Sequence, residues 1–140
     1  PPEVRIGANR VYAHDNTQNE ILAGLRRGHC FVTSGAEISF TAETVDAKAS
    51  MGDLVKSGQL KLKMGWSVGL NGFDPSELEA VLIKNNETFG RWSCGEHEDS
   101  EFTTISEETD WFILELRDQR GELHALSNPI FVGQQVGTWR

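Results

Sequence analysis

Hydrophobic and polar positions along this chain follow two periods, and the change between them falls at residue 28. Across residues 17–28, Ile21, Leu22 and Leu25 stand at i, i+1 and i+4, which gathers them into one apolar stripe of an α-helix. Thr17-Gln18-Asn19-Glu20 has the form of a capping box, in which the threonine hydroxyl accepts from a backbone N–H and the glutamate reaches back to the cap. Arg26 and Arg27 put positive charge at the negative end of the helix dipole, and Gly28 suits a left-handed C-cap. The spacing predicts a helix of about three turns.

Beyond Gly28 the period becomes two. Residues 29–33 and 36–42 are strand-like, the second with Ile38 and Phe40 on one face. Leu60, Leu62, Met64, Trp66 and Val68 alternate with Lys61, Lys63, Gly65 and Ser67, which is the pattern of a half-buried strand. Residues 78–84 are more continuously apolar and read as central. Shorter candidates cover 87–92, 101–105, 123–126 and 130–132, and 111–117 places Phe112, Leu114 and Leu116 on a shared face. Turn signals recur between them: Ser57-Gly58, Asn71-Gly72, Asp74-Pro75, Asn85-Asn86, Arg120-Gly121 and Asn128-Pro129. No helical pattern separates the strands, so a doubly wound α/β fold is not expected. The expected fold is mainly β, an antiparallel β-sandwich of about seven to nine strands with one N-terminal α-helix, and a barrel is the runner-up.

Composition narrows the partners. A net charge of -8 opposes a phosphate backbone and argues against nucleic acid. No apolar run approaches the roughly 20 residues of a membrane span, so a membrane partner is not expected. There is no signal-peptide pattern, and a cytoplasmic location is the default expectation. The acidic runs EHEDSE and SEETD read as solvated loops, because neither has the spacing of a calcium loop. The two cysteines, Cys30 and Cys94, have no C-x-x-C partner and read as unconnected thiols.

Candidate chemistry is sparse. His14, His29, His97 and His124 are far apart in sequence, and no H-E-x-x-H, H-x-H or D-x-H occurs. The pair His14-Asp15 is the most site-like, since an imidazole beside a carboxylate can ligate a metal or act as an oriented base. Its simpler reading is a polar loop in which Asp15 helps cap the helix. His29 follows the C-cap and is placed to meet the last carbonyls. His97 is expected in solvent, and His124 to face outward or satisfy a neighbour. Glu115, between Leu114 and Leu116, reads as exposed or paired with a nearby Lys or Arg. Neither a nucleophile elbow nor a phosphate-binding glycine loop is present, so no catalytic residue and no cofactor is assigned to this chain.

Two stretches nevertheless form a familiar pair: EILAGLRRGHCFVTSGAEISF, and ALSNPIFV near the end, with MGDLV and DWFILELRD between them in order. Together they resemble the C-terminal part of metal-dependent hydrolases of the PHP (polymerase and histidinol phosphatase) superfamily, in the CehA-like branch of carbamate and ester hydrolases. The resemblance implies that residues 1–28 correspond to the end of a distorted (β/α) barrel and residues 29–140 to a β-sandwich extension. It implies a non-catalytic accessory domain that stabilises the barrel or shapes substrate access, with the N-terminal PHP barrel of the same polypeptide as partner. Divalent metals of the manganese, zinc or iron class would then be held by that barrel. The family's H-x-H and D-x-H ligand motifs match no position here, and His14-Asp15 has the wrong order, so no metal ligand carries over. Two other expectations stand beside this one. The chain could be a stand-alone sandwich binding carbohydrate or protein through some of Trp66, Trp92, Trp111 and Trp139, and the helix stripe could support a homodimer.

Overall fold

The computed structural model describes residues 8–11, 18–33, 36–67 and 74–133 of the 140-residue chain. His14, Asp15, Thr17, the Ser34-Gly35 and Asn71-Gly72 turns, Val68 and Trp139 lie outside the described residues. Strand β1 (Ala8–Val11) precedes helix α1 (Gln18–Arg27). After the helix come β2 (Cys30–Thr33), β3 (Glu37–Glu43), β4 (Lys48–Ser50), β5 (Leu54–Val55) and β6 (Gly58–Ser67). A single 3-10 turn (Pro75–Glu77) leads into β7 (Leu78–Lys84) and β8 (Glu87–Ser93). The rest are β9 (Asp99–Ser106), β10 (Trp111–Asp118), β11 (Leu123–Ser127) and β12 (Ile130–Val132).

The strands form two sheets, as a sandwich requires. The smaller sheet has the order β4-β3-β6-β9 and is antiparallel throughout. The larger has eight strands around β10, which pairs β7 on one flank and both β11 and β12 on the other. Strands β11 and β12 are therefore two halves of one strand, interrupted at Asn128-Pro129. On its far flank β11 pairs β2 antiparallel, while β12 pairs β5 in parallel. The twelve strands among the described residues exceed the expected seven to nine. The extra three are β1, β4 and β5, of four residues or fewer, too short for an alternating pattern to mark them.

The inner faces are built by alternation. Ile38, Phe40, Leu60, Leu62 and Met64 of the smaller sheet meet Leu78, Leu82, Phe112, Leu114, Leu116 and Ile130 of the larger in one core, each at most 2% exposed. Turn chemistry matches the sequence signals: Asn85 and Asn86 both adopt positive φ (51° and 69°), as a two-residue type I′ hairpin between β7 and β8 demands. Asp74 caps the 3-10 turn by accepting from the Ser76 N–H at 3.0 Å. At the helix end Gly28 takes φ 73°, and the His29 N–H returns to the Gly24 carbonyl at 2.9 Å, the bond of a Schellman cap.

The Asn128-Pro129 interruption is expected as a bulge or as a turn entering an edge strand, because proline cannot donate to a ladder, and the edge-strand form is not the one observed. Here it lies inside the larger sheet, between halves that each have neighbours on both flanks. The lost ladder bonds are replaced locally: Ser127 Oγ accepts from the Leu114 N–H at 2.9 Å, and the Pro129 carbonyl accepts from Gly52 N–H at 2.6 Å.

Core truncations should be costly in proportion to burial. Phe112→Ala should lose about 3–5 kcal/mol and Leu114→Ala about 2–5 kcal/mol in denaturant unfolding. Ile105→Ala, at a position 68% exposed on the smaller sheet, should stay within about 0.5 kcal/mol of the parent.

Candidate functional site at the helix seam

Three stretches distant in sequence meet where α1 ends. Gly28-His29-Cys30 leaves the helix, Gly52-Asp53 turns between β4 and β5, and Asn128-Pro129 breaks the β11–β12 strand. The Asn128 side-chain amide donates to the Gly28 carbonyl at 2.9 Å and to Cys30 Sγ at 3.1 Å, so one side chain holds the cap against the strand that follows it. The two glycines allow the backbones to touch: a Cβ on Gly28 would lie 3.1 Å from the Gly52 Cα. Asp53 is the hub of the turn. Its Oδ2 accepts from the Ser50 N–H at 2.8 Å, its Oδ1 meets His29 Nε2 at 2.9 Å, and its carbonyl accepts from the Phe131 N–H at 3.0 Å. Both His29 and Asp53 side chains are partly exposed, at 22% and 28%.

An imidazole, a carboxylate, a thiol and an amide lie close together here, and the carboxylate and the amide also bind backbone groups. Both Asp53 oxygens are occupied, and the Asn128 amide is spent on the cap and the sulfur. The seam's bonds tie the helix end to the β4–β5 turn and to the larger sheet. Sequence reading placed His29 at the helix carbonyls; its main chain does go there, while its ring pairs with Asp53. Asp53 was not singled out as a residue, although MGDLV, which contains it, was, and Asn128 was named only for its turn with Pro129 and not for its bond to the helix cap.

Several other titratable groups among the described residues are held in specific contacts. His124 is 2% exposed, at a bulge opposite Leu116 and Arg117, and its Nε2 lies 3.0 Å from Asp118 Oδ2. That contact chiefly holds the Asp118 carboxyl below its ordinary value, with burial opposing and the Glu122 and Arg120 N–H groups assisting. For Asp110, burial pushes the value up. Hydrogen bonds from the Glu107 N–H and the Asn85 amide, with the charge of Lys84, outweigh it and leave the carboxyl low. Glu115 pairs with Arg117, its Oε2 2.5 Å from Nε, in line with the expected pairing, but it is 7% exposed and so buried. Both cysteines are free, and burial, with a smaller contribution from Glu79, pushes the Cys94 thiol up to about 12. Among the described residues no group of three or more His, Cys, Asp and Glu side chains could hold a metal ion. No described helix is long and apolar enough to cross a membrane. An open groove of about 780 Å³ lies between the edge strands β4 and β5, but its Lys48, Lys56, Asp46 and Glu108 are of mixed sign and converge on no reacting point.

The two outer faces of the sandwich differ in chemistry. That of the smaller sheet is polar, with Lys61–Glu101, Lys63–Glu43 and Lys48–Glu43 ion pairs across its strands. That of the larger sheet mixes apolar side chains with the Arg91–Glu79 and Arg117–Glu115 ion pairs. Register places Leu54, Phe131 and Trp111 in one row, Ile113 beside Ile83 in the next, and Leu126, Glu115 and Val81 in a third. Val81, on this side of the sheet, is 3% exposed and so covered, although it lies outside the main core cluster. Of the tryptophans, Trp66 is buried and donates to the His97 carbonyl at 2.6 Å, and Trp92 packs edge-on to Phe102 against the core. Trp111 is half-buried.

No family model matches the chain, and neither does any curated protein or solved structure.

Two consequences are measurable. Asn128→Ala strips acceptors at the seam of their donor and should cost about 1–3 kcal/mol in urea unfolding. Gly28→Ala, with φ 73° and Gly52 in the way, should cost more than about 1 kcal/mol. The second concerns acid. Asp118 and Asp110 bind protons less readily folded than unfolded, so their stabilisation is full above the ordinary value of 3.8 and is lost as pH falls below it. The urea midpoint should drop between pH 5 and about 2. Asp118→Asn should be less stable than the parent at pH 7 and show a flatter decline.

Proposed function

We propose that this chain is a non-catalytic accessory domain of a PHP-type metal-dependent phosphoesterase or hydrolase, with α1 as its junction to the catalytic barrel. The observation that carries the reading is the convergence at one seam of GHC, MGDLV and ALSNPIFV, three stretches on which the resemblance rests. They are 24 to 100 residues apart in the chain, yet they meet at the C-terminal end of the helix. A helix fixed in this way would pass the barrel's last element into the sandwich without a flexible hinge. Such an extension stabilises the barrel or borders its substrate opening. The divalent metals, of the manganese, zinc or iron class, belong to the barrel, which is the partner in the same polypeptide.

The alternative, a stand-alone module binding carbohydrate or protein, needs aromatic rings displayed beside polar groups that read a ligand. Trp66 and Trp92 turn inward, which supports the accessory role, while Trp111 is half-buried beside Phe131.

Hydrolysis assays test the non-catalytic assignment. The purified chain with added manganese or zinc should turn over neither phosphodiesters nor esters, and turnover abolished by a chelator would overturn it. The reading frame upstream of Pro1 tests the parentage. A segment bearing H-x-H and D-x-H motifs would support it, and a frame without them would put the binding module ahead.

A further inference from the structure

Among the described residues the two sheets end in five edge strands, and four of them are guarded. Strands β1, β4 and β5 have four, three and two residues, too short to pair far. Strand β8 is broken by a register shift opposite Leu82 and Ile83 and carries Arg91. The fifth, β9, has no such guard. Its eight residues run beside β6 in unbroken register and contain neither proline nor lysine. No strand lies on their other side among the described residues, so the N–H and C=O groups that point away from β6 meet no backbone partner there. This edge is open: Asp99, Glu101, Thr103 and Ile105 are all exposed, Ile105 at 68%.

We propose that β9 is a dimerisation edge, pairing antiparallel with β9 of a second copy so that two four-stranded sheets become one continuous sheet. A two-fold contact must be self-complementary, because each edge meets its own image. Strand β9 meets that condition because its charge is confined to one end. Asp99 and Glu101 precede the uncharged run from Phe102 to Ser106, so antiparallel pairing lays the charged half of each copy on the uncharged half of the other. A two-fold axis at Phe102 sets Asp99 opposite Ile105, Ser100 opposite Thr104 and Glu101 opposite Thr103, with no two acids face to face. Moving the axis one residue either way brings acids together, Glu101 on its own image or Asp99 on Glu107. Charge selects the register. Lys61, 3.7 Å from Glu101 in the same chain, offsets the acid nearest the axis, so the -8 of each copy is not concentrated here. On the inner face Phe102 meets its own image beside Phe89, which packs edge-on to it at 4.9 Å and is 37% exposed. Association stops at two, because the other edge of this sheet is the three-residue β4.

Sedimentation velocity of the intact chain at about 1–100 μM tests the proposal, a range that resolves a micromolar dimer. The expected species has twice the 15.6 kDa chain mass. Ile105 tests the register, since it is exposed enough for a replacement to keep the fold, which circular dichroism would verify. Ile105→Asp sets a second acid opposite the partner copy's Asp99 and should weaken dimerisation about threefold or more. Ile105→Lys meets that acid with opposite charge and should hold the dimer or tighten it. Amide hydrogen exchange in residues 99–105 should slow as concentration rises, and in β8 should not. A monomer throughout the range, the result if this edge takes an extended segment of another protein instead, would overturn the proposal. So would growth beyond the dimer, a dimer that the two Ile105 variants affect alike, or one that Leu22→Lys on the helix dissolves. None of these outcomes bears on the accessory-domain reading, which stands or falls on hydrolysis and on the upstream reading frame.

Discussion

The structure depends on a strand that is not continuous. Because β11 and β12 share one flank of β10 but break at Asn128-Pro129, the opposite flank is divided between β2 and β5, which run in opposite senses relative to that strand. The break also leaves the Pro129 carbonyl outside the ladder and places the Asn128 side chain at the seam, where both are used. The amide holds the helix cap and the carbonyl holds Gly52. An uninterrupted strand would have no free groups to tie α1 and the β4–β5 turn to the sheet. Helix orientation, the parallel β5–β12 pair and the His29–Asp53 contact all follow from that local irregularity.

Much of the fold was legible because it rests on periodicity. The β6 alternation, the apolar face of β10, the Asn85-Asn86 hairpin and the Gly28 cap each come from a local rule that tertiary context reinforced. The short strands were not legible, since two to four residues such as KAS or LV carry no period, and only neighbouring backbones make them strands. The seam was half legible. Its segments stood out as motifs, but the partnership of His29 with Asp53 and of Asn128 with Gly28 is non-local, and sequence spacing says nothing about it. His14-Asp15, the pair most like a site in sequence, falls outside the described residues.

Glu115 shows where a sound local rule gave a partial answer. Standing between two core leucines, it was assigned to the opposite face and to an arginine or lysine partner, which is its position. Burial was not foreseen, because the outward side of a sheet was equated with solvent. On this sandwich the equation holds for the smaller sheet, whose outer lysines and glutamates form cross-strand pairs, and fails for the larger. The same alternation pattern therefore describes a solvated face in one sheet and, at Val81 and Glu115, a covered one in the other.

The topology also sets an order of assembly. Every strand of the smaller sheet lies within residues 37–106, so that sheet can be paired while the chain is still being made. The larger sheet cannot. Strand β2 must wait for β11, more than 90 residues later, before Val32 can find Leu126. At about 5–20 residues per second, that is a delay of roughly 5–20 s during synthesis. Loop closure over such a span makes the β2–β11 pairing intrinsically slow even in the finished chain. The helix and its seam are thus the last parts of the domain to become fixed, although they are among the first to be synthesised.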